Sequence, residues 1–335
     1  MSEETRVQIE ARKREHLDLS LRPEVQGNGA GLEGIHLPYD ALFECKAVDT
    51  RSRMGKIGLS FPLMIGAMTG GTCFAAAFNT VLRRYAAEHD IALCLGSMRA
   101  ALLDDSLLET YGSGDLEALF ANIGISELFV YPSEKIAETA RRMGASGLFI
   151  HLNGLQEYVQ NEGNRDYGCA LDDLRRFVDS FPMPCFIKEV GSGLGGRCAC
   201  RLALLNIAGA ESASRGGTSW VKLEGMRRKK AISAVNMAAL DQVGYGLAQS
   251  IRDLRAALGA RTVIASGGIR NSLDIVKALA LGADVVAMAQ PVYAAYHDSG
   301  ASGMRDFLDE TIDIAKLIWR STGAADIGQL KACLA

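Results

Sequence analysis

A short apolar run that ends in a polar or glycine-rich turn, followed by a segment of helix length, recurs eight times along the chain. The runs are PLMIGAM from Pro62, IALCLGS from Ile91, ELFVY from Glu127, GLFIHLN from Gly147, CFIKEV from Cys185, AGAESAS from Ala208, TVIASGG from Thr262 and DVVAMAQ from Asp284. Unbroken apolar runs suit strands buried on both faces, so each helix must return the chain to lay the next strand parallel. Eight such units predict an α/β fold closed into a (β/α)8 TIM barrel, with residues 1–335 forming a single domain. AGAESAS has the poorest β propensity of the set; without it the count falls to seven and the sheet opens.

The polar residues cluster at one end of these runs. MTGG, GSMR, HLNGLQE, KEVGSG, SRGGTSW, SGGIR and AMAQP all follow their strands, and the C-terminal rim is where barrel enzymes assemble a site from several strands at once. HLNGLQE, from His151 to Glu157, brings an imidazole, two carboxamides and a carboxylate to that rim. Lys188 ends an otherwise apolar strand, so it is either paired with a buried carboxylate or held for an anionic ligand. SGGIRNSLD, from Ser266, offers two glycines and then Asn271 or Ser272 as a helix N-cap. It reads either as a tight turn or as a phosphate site built on backbone N–H groups. The glycines of MTGG and SRGGTSW would let a planar ligand approach the backbone, and together these features suit a phosphorylated, flat cofactor such as flavin mononucleotide (FMN). No G-x-G-x-x-G follows the first strand, which disfavours a dinucleotide site, and GGRCACR from Gly195 does not match a phosphate-cradling P-loop.

The formal net charge of −3 gives no reason to expect nucleic acid, and 48% apolar residues supply an ample core. Cys45, Cys73, Cys94, Cys169, Cys185, Cys198, Cys200 and Cys333 follow no framework spacing and read as reduced thiols of a cytoplasmic protein. Cys198 and Cys200 lack the second ligand pair that a zinc site would need. The charged opening MSEETRVQIEARKREH has no apolar signal core. Uncharged Ile57–Leu82 is broken by Pro62, Gly66, Gly70, Gly71, Thr72 and Asn79, so no membrane span is expected. Arg12, Lys13 and His16, in RKREH, form either a solvated helix face or a basic lid over a diphosphate.

RKREHLDL, PLMIGAMTGG, GSMRA, ANIG, HLNGLQEYVQNEGNRDY, KEVGSG, RGGTSW and SGGIRNSLDIVKALALGAD occur in an order and spacing that resemble the type 2 isopentenyl-diphosphate isomerases, nearly end to end. These are (β/α)8 flavoproteins that interconvert isopentenyl and dimethylallyl diphosphate. The resemblance implies a single FMN-binding barrel domain in which residues 1–60 form an N-terminal extension contributing to a substrate lid. It implies reduced FMN, Mg2+ and NADPH or NADH as reductant, an isoprenoid diphosphate as the small-molecule partner, and a homo-oligomer, tetramer or octamer. FMN would contact Ala67, Met68, Thr69, Ser97, Asn122, Lys188, Thr218, Gly268, Ile269, Arg270, Ala289 and Gln290. Arg12 and Lys13 would grip the diphosphate, with His16, Arg99, His151 and Asn153 as neighbours. Gln156 would be the substrate-side catalytic glutamine and Glu157 the magnesium ligand, while the reduced flavin is thought to act as the acid.

Three positions depart from the family pattern. Met98 stands where glutamine is usual, which would remove an amide from beside the flavin; AGAESASR replaces a more apolar, aspartate-containing strand; and VGYGLAQS from Val243 replaces a proline-stiffened turn. The alternative reading is an FMN-dependent 2-hydroxy acid oxidoreductase on the same barrel. That chemistry wants a histidine base near the last two strands, and after SGGIR the first histidine is His297.

Overall fold

A computed structural model describes residues 3–43, 47–161, 163 and 171–334, with side chains from Glu10 onward. Cys45, Cys169 and most of NEGNRDY, namely Glu162 and 164–167, lie outside the described residues. Among the described residues there are ten strands: β1 (Ser52–Met54), β2 (Ile57–Leu59), β3 (Leu63–Ile65), β4 (Ala92–Ser97), β5 (Leu119–Gly124), β6 (Gly147–Leu152), β7 (Cys185–Glu189), β8 (Gly209–Glu211), β9 (Thr262–Ala265) and β10 (Val285–Met288). Strands β3 to β10 form a closed barrel in chain order, every neighbour parallel and β10 pairing with β3. The weak run AGAESAS does supply a strand, β8, paired to both neighbours through Gly209, Ala210 and Glu211.

One predicted strand is misplaced. ELFVY is not the third barrel strand: LFANIG, Leu119–Gly124, takes that place, and Ile125–Phe129 is a 3-10 helix just beyond it. All six residues of β5 are buried, whereas Phe129 and Val130 are 54% and 66% exposed. The apolar content of ELFVY therefore marks a surface turn over the rim, and the Asn and Gly in LFANIG conceal a strand whose fourth residue faces the site.

Barrel strands alternate inward and outward residues, and the inward set changes character at one level. Phe120, Phe149 and Phe186 fill the lower interior with Met64, Cys94, Ile264, Val285 and Ala287. The Phe149 and Phe186 rings stack at 5.1 Å, and Phe120 meets both edge-on. Two residues further along β5, β6 and β7 the same face carries Asn122, His151 and Lys188. Period-two geometry thus turns an aromatic floor into a polar layer within one step of each strand.

The β1–β2 hairpin closes the opposite end. Met54 and Leu59 insert among the three phenylalanines. Gly55 N donates to Thr262 Oγ1 at 3.1 Å, and Ser52 Oγ donates to Asp284 O at 2.5 Å, at the starts of β9 and β10. No helix among the described residues is long and apolar enough to cross a membrane.

Candidate active site

Two cavities meet at the C-terminal mouth. The first is lined by Gln26, Gly191, Glu211, Ser214, Gly217, Thr218, Ser266, Gly267, Gly268, Ile269, Arg270, Ala289 and Gln290. The second, about 410 Å³, is lined by Arg12, Lys13, His16, Thr69, Ser97, Arg99, Asn122, Glu127, His151, Asn153, Gln156 and Glu157. Ser20, Ala67, Met68, Lys188, Val190 and Trp220 line both. Every site residue expected from the sequence therefore reaches the mouth, divided between two chambers that share Lys188.

Glycine shapes the first chamber. Gly267 and Gly268 adopt φ of +104° and +79°, and a Cβ on Gly217 would lie 2.7 Å from Gly268 N, so no side chain fits between these loops. Beyond them Asn271 caps the helix Ser272–Ala280, its Oδ1 accepting from Asp274 N at 3.0 Å. Glycine-lined backbone, a helix N-terminus and the Arg270 guanidinium suit a phosphate. Inside, Glu211 Oε1 accepts from Ser266 Oγ at 2.8 Å. Glu211 Oε2, Ser214 Oγ and Thr69 Oγ1 are buried without a hydrogen-bond partner, and each belongs to a residue that lines one of the two chambers. Buried polar atoms of that kind are costly unless something bonds them. The donor set thus fits FMN: a phosphate at Arg270 and the glycines, and a polar ring system beside Lys188, Thr69 and Asn122.

Lys188 donates to Glu189 O at 2.7 Å and sits in register between His151 and Glu211. Burial, together with the Lys188 cation, pulls the His151 imidazole down to about 3, so the ring is neutral. Its Nδ1 lies 2.9 Å from Asn122 Oδ1, an oxygen that only accepts, which places the proton on Nδ1 and leaves Nε2 as an acceptor. Glu189 organises the turn that follows. Its Oε2 accepts from Val190 N at 2.6 Å, Gly191 N at 2.5 Å, Ser192 N and Gly193 N at 3.2 Å.

The helix Glu3–Ser20 roofs the second chamber. Lys13 Nζ donates to Gly70 O in the MTGG turn and lies 5.8 Å from the Tyr111 ring centre. Enclosure of its ammonium end, reinforced by Arg12 and Arg99, brings Lys13 down to about 7. Arg99 Nε lies 3.3 Å from Glu127 Oε1, whose carboxyl is raised by burial against the opposing pull of Arg99. Asn153 Nδ2 donates to Glu157 Oε1 at 2.9 Å, and Gln156 Nε2 donates to Glu224 Oε1 at 3.4 Å. His16 Nε2 is 2.9 Å from the same Glu224 oxygen, an ion-pair distance without hydrogen-bond alignment. Arg227 Nη1 contacts Glu224 Oε2 at 2.6 Å. Burial pushes the Glu224 carboxyl up, but His16 and Arg227 outweigh it and hold it below its ordinary value.

Sequence reading missed Gln26, Glu127, Glu189, Glu211 and Glu224. Glu224 lies one helical turn after Trp220 of the GGTSW stretch, so an i,i+4 reading of that helix would have placed both on one face. Met98 corrects an expectation: its side chain is fully buried in the outer core and lines neither chamber. A thioether suits that dry environment. His297 lies on neither chamber; it is 53% exposed and 3.1 Å from Asp298.

Residues 237–334 match the family model described as FMN-dependent dehydrogenase. The chain is 34% identical to the isopentenyl-diphosphate delta-isomerase of Mycolicibacterium gilvum, covering 96% of this chain and 95% of that one. With that of Xanthobacter autotrophicus it shares 36% identity over 96% and 95%. Among solved structures, a flavocytochrome b2 variant with pyruvate bound superposes with a TM-score of 0.70 at 17% identity, covering 96% of this chain and 81% of that one, a likeness of fold alone. Near-complete coverage at this identity, on a barrel whose mouth joins a glycine-lined chamber to a basic one, is decisive: the chain belongs to the type 2, FMN-dependent family of isopentenyl-diphosphate delta-isomerases.

Proposed function

We propose that this protein interconverts isopentenyl diphosphate and dimethylallyl diphosphate with reduced FMN and Mg2+, NADPH or NADH serving as reductant, as a cytoplasmic homo-oligomer. The observation that carries this reading is the chamber roofed by Arg12, Lys13 and His16 directly beside the glycine-lined one, with Lys188 common to both. A flavin oxidoreductase acting on a 2-hydroxy acid needs a histidine base near the last two strands, β9 and β10, and His297, the first histidine after them, lines neither chamber.

Arg12, Lys13 and Arg99 offer cations to the diphosphate at the open end of the second chamber. Residues 1–60 act in part as its lid, through the helix Glu3–Ser20. Glu157, steadied by Asn153, supplies one hard oxygen ligand for Mg2+. One carboxylate suffices for an ion that keeps several waters and takes further oxygens from the diphosphate. Bound and reduced, FMN supplies the proton donor for moving the double bond.

The protein's part is orientation in a dry pocket. His151, neutral and fixed by Asn122, keeps an acceptor at Nε2 without adding charge beside an apolar chain. Gln156, held by Glu224, is the positioned carboxamide that orders the proton's path at the substrate. Lys188 supports the flavin ring. The test is anaerobic incubation of the protein with FMN, dithionite, Mg2+ and isopentenyl diphosphate, reading the allylic product. A protein that takes up FMN yet yields none would refute the assignment.

A further inference from the structure

Gln26 lines the first chamber next to Ser20, which lines both, and its carboxamide is bonded on both sides. Nε2 donates to Ser20 O, in the last turn of the basic helix, at 2.6 Å and lies 3.1 Å from Thr218 Oγ1. Oε1 accepts from Arg270 Nη2 at 3.2 Å, and the same guanidinium nitrogen donates to Gly27 O at 3.1 Å. The backbone seals the join: Gly27 N donates to Gly217 O at 2.8 Å and Gly29 N to Gly216 O at 3.0 Å. A Cβ on Gly27 would come within 2.7 Å of Gly216, and one on Gly268 within 2.4 Å of Gly29 O, so the segment following the basic helix lies pressed onto the loops of the first chamber.

We propose that Gln26 is a positioning residue that couples the two chambers, so that FMN and a diphosphate each tighten the binding of the other. The proposal rests on the FMN reading of the first chamber. One amide group reaches Thr218 and Arg270, the residues that face the cofactor, and the carbonyl that ends the helix bearing Arg12, Lys13 and His16. A ligand that fixes Thr218 and Arg270 therefore fixes Gln26, and Gln26 fixes the end of the basic helix. Ordering that is completed by the first ligand need not be supplied by the second, which is positive cooperativity, and linkage requires the coupling to be equal in both directions.

The test uses the full-length protein with FMN and inorganic pyrophosphate as probes, comparing the wild type with Gln26→Met, which keeps the length of the side chain and removes both amide atoms. Flavin fluorescence gives the FMN dissociation constant with and without pyrophosphate; calorimetry gives that of pyrophosphate with and without FMN. The wild type should show the same coupling factor from either side, about 5-fold or more. In Gln26→Met that factor should fall to about 1, while each ligand alone still binds and thermal unfolding stays cooperative. Trypsin cleavage at Arg12, Lys13 and Arg14, slowed by FMN in the wild type, should lose that protection in the variant. Undiminished coupling in a folded Gln26→Met protein overturns the proposal, as does a wild type that binds both ligands without coupling. A wild type that takes up no FMN overturns the cofactor reading beneath it as well.

Discussion

Lys13 gives the sharpest test of the basic roof. Its ammonium end is enclosed against Gly70 O and the Tyr111 ring, with Arg12 and Arg99 adding like charge, and its pKa is held at about 7. Only the charged form grips a diphosphate strongly, so the apparent dissociation constant scales inversely with the charged fraction of the free protein. That fraction falls from about 0.9 at pH 6 to about 0.09 at pH 8, and the Lys13 contribution to affinity falls about 10-fold over the same interval. The diphosphate loses its own protons in this range, which acts in the opposite direction, and Lys13→Arg provides the control because a guanidinium stays charged throughout. Calorimetric titration of isopentenyl diphosphate into the FMN-loaded protein at pH 6, 7 and 8 should show the ratio of the wild-type to the Lys13→Arg constant rising about 10-fold. A flat ratio would mean that Lys13 is an ordinary lysine. The sign for folding follows from the same value. The unfolded chain keeps its lysine proton up to the ordinary 10.5, so the ligand-free protein gains stability as pH rises from about 7 toward that value.

Gln156→Leu should leave FMN and diphosphate binding near normal while turnover drops by about two to four orders of magnitude, as for a positioned proton-transfer group; full turnover in the folded variant would assign the residue to packing. Glu157→Gln should lose its dependence on Mg2+ together with most activity, since an amide is a poor ligand for a hard dication, and an unchanged metal titration would remove Glu157 from that role. Phe186→Ala, at the centre of the aromatic floor, should cost about 3–5 kcal/mol in urea unfolding, and a loss under 1 kcal/mol would show that the floor can collapse around the gap. Glu189→Ala releases several backbone N–H groups and should lower stability by about 1–3 kcal/mol while weakening FMN retention; a variant that holds FMN like the wild type would show that the turn stands without its carboxylate.

The barrel was legible because buried parallel strands leave long apolar runs, and even AGAESAS, flanked by turns at the right spacing, marked a real strand. The third strand was not, because Asn122 and Gly124 interrupt LFANIG, while ELFVY imitates a strand with apolar residues, Phe129 and Val130, that lie on the surface. All the rim residues read from motifs came together, since period-two geometry carries a strand-end polar residue into the mouth. The positions that hold them in place were hidden for a common reason. Glu224, Glu211 and Gln26 act through partners far away in sequence, Gln156, Ser266 and Arg270, and no local pattern reports a bond across 68, 55 or 244 residues.

Among the described residues, the hairpin wedged beneath the three phenylalanines closes the lower end of the barrel, and the two chambers lie at the rim. A substrate and a product that both lodge between the basic helix and the rim would occupy the same chamber. Product that occupies the substrate's chamber should therefore inhibit competitively with it.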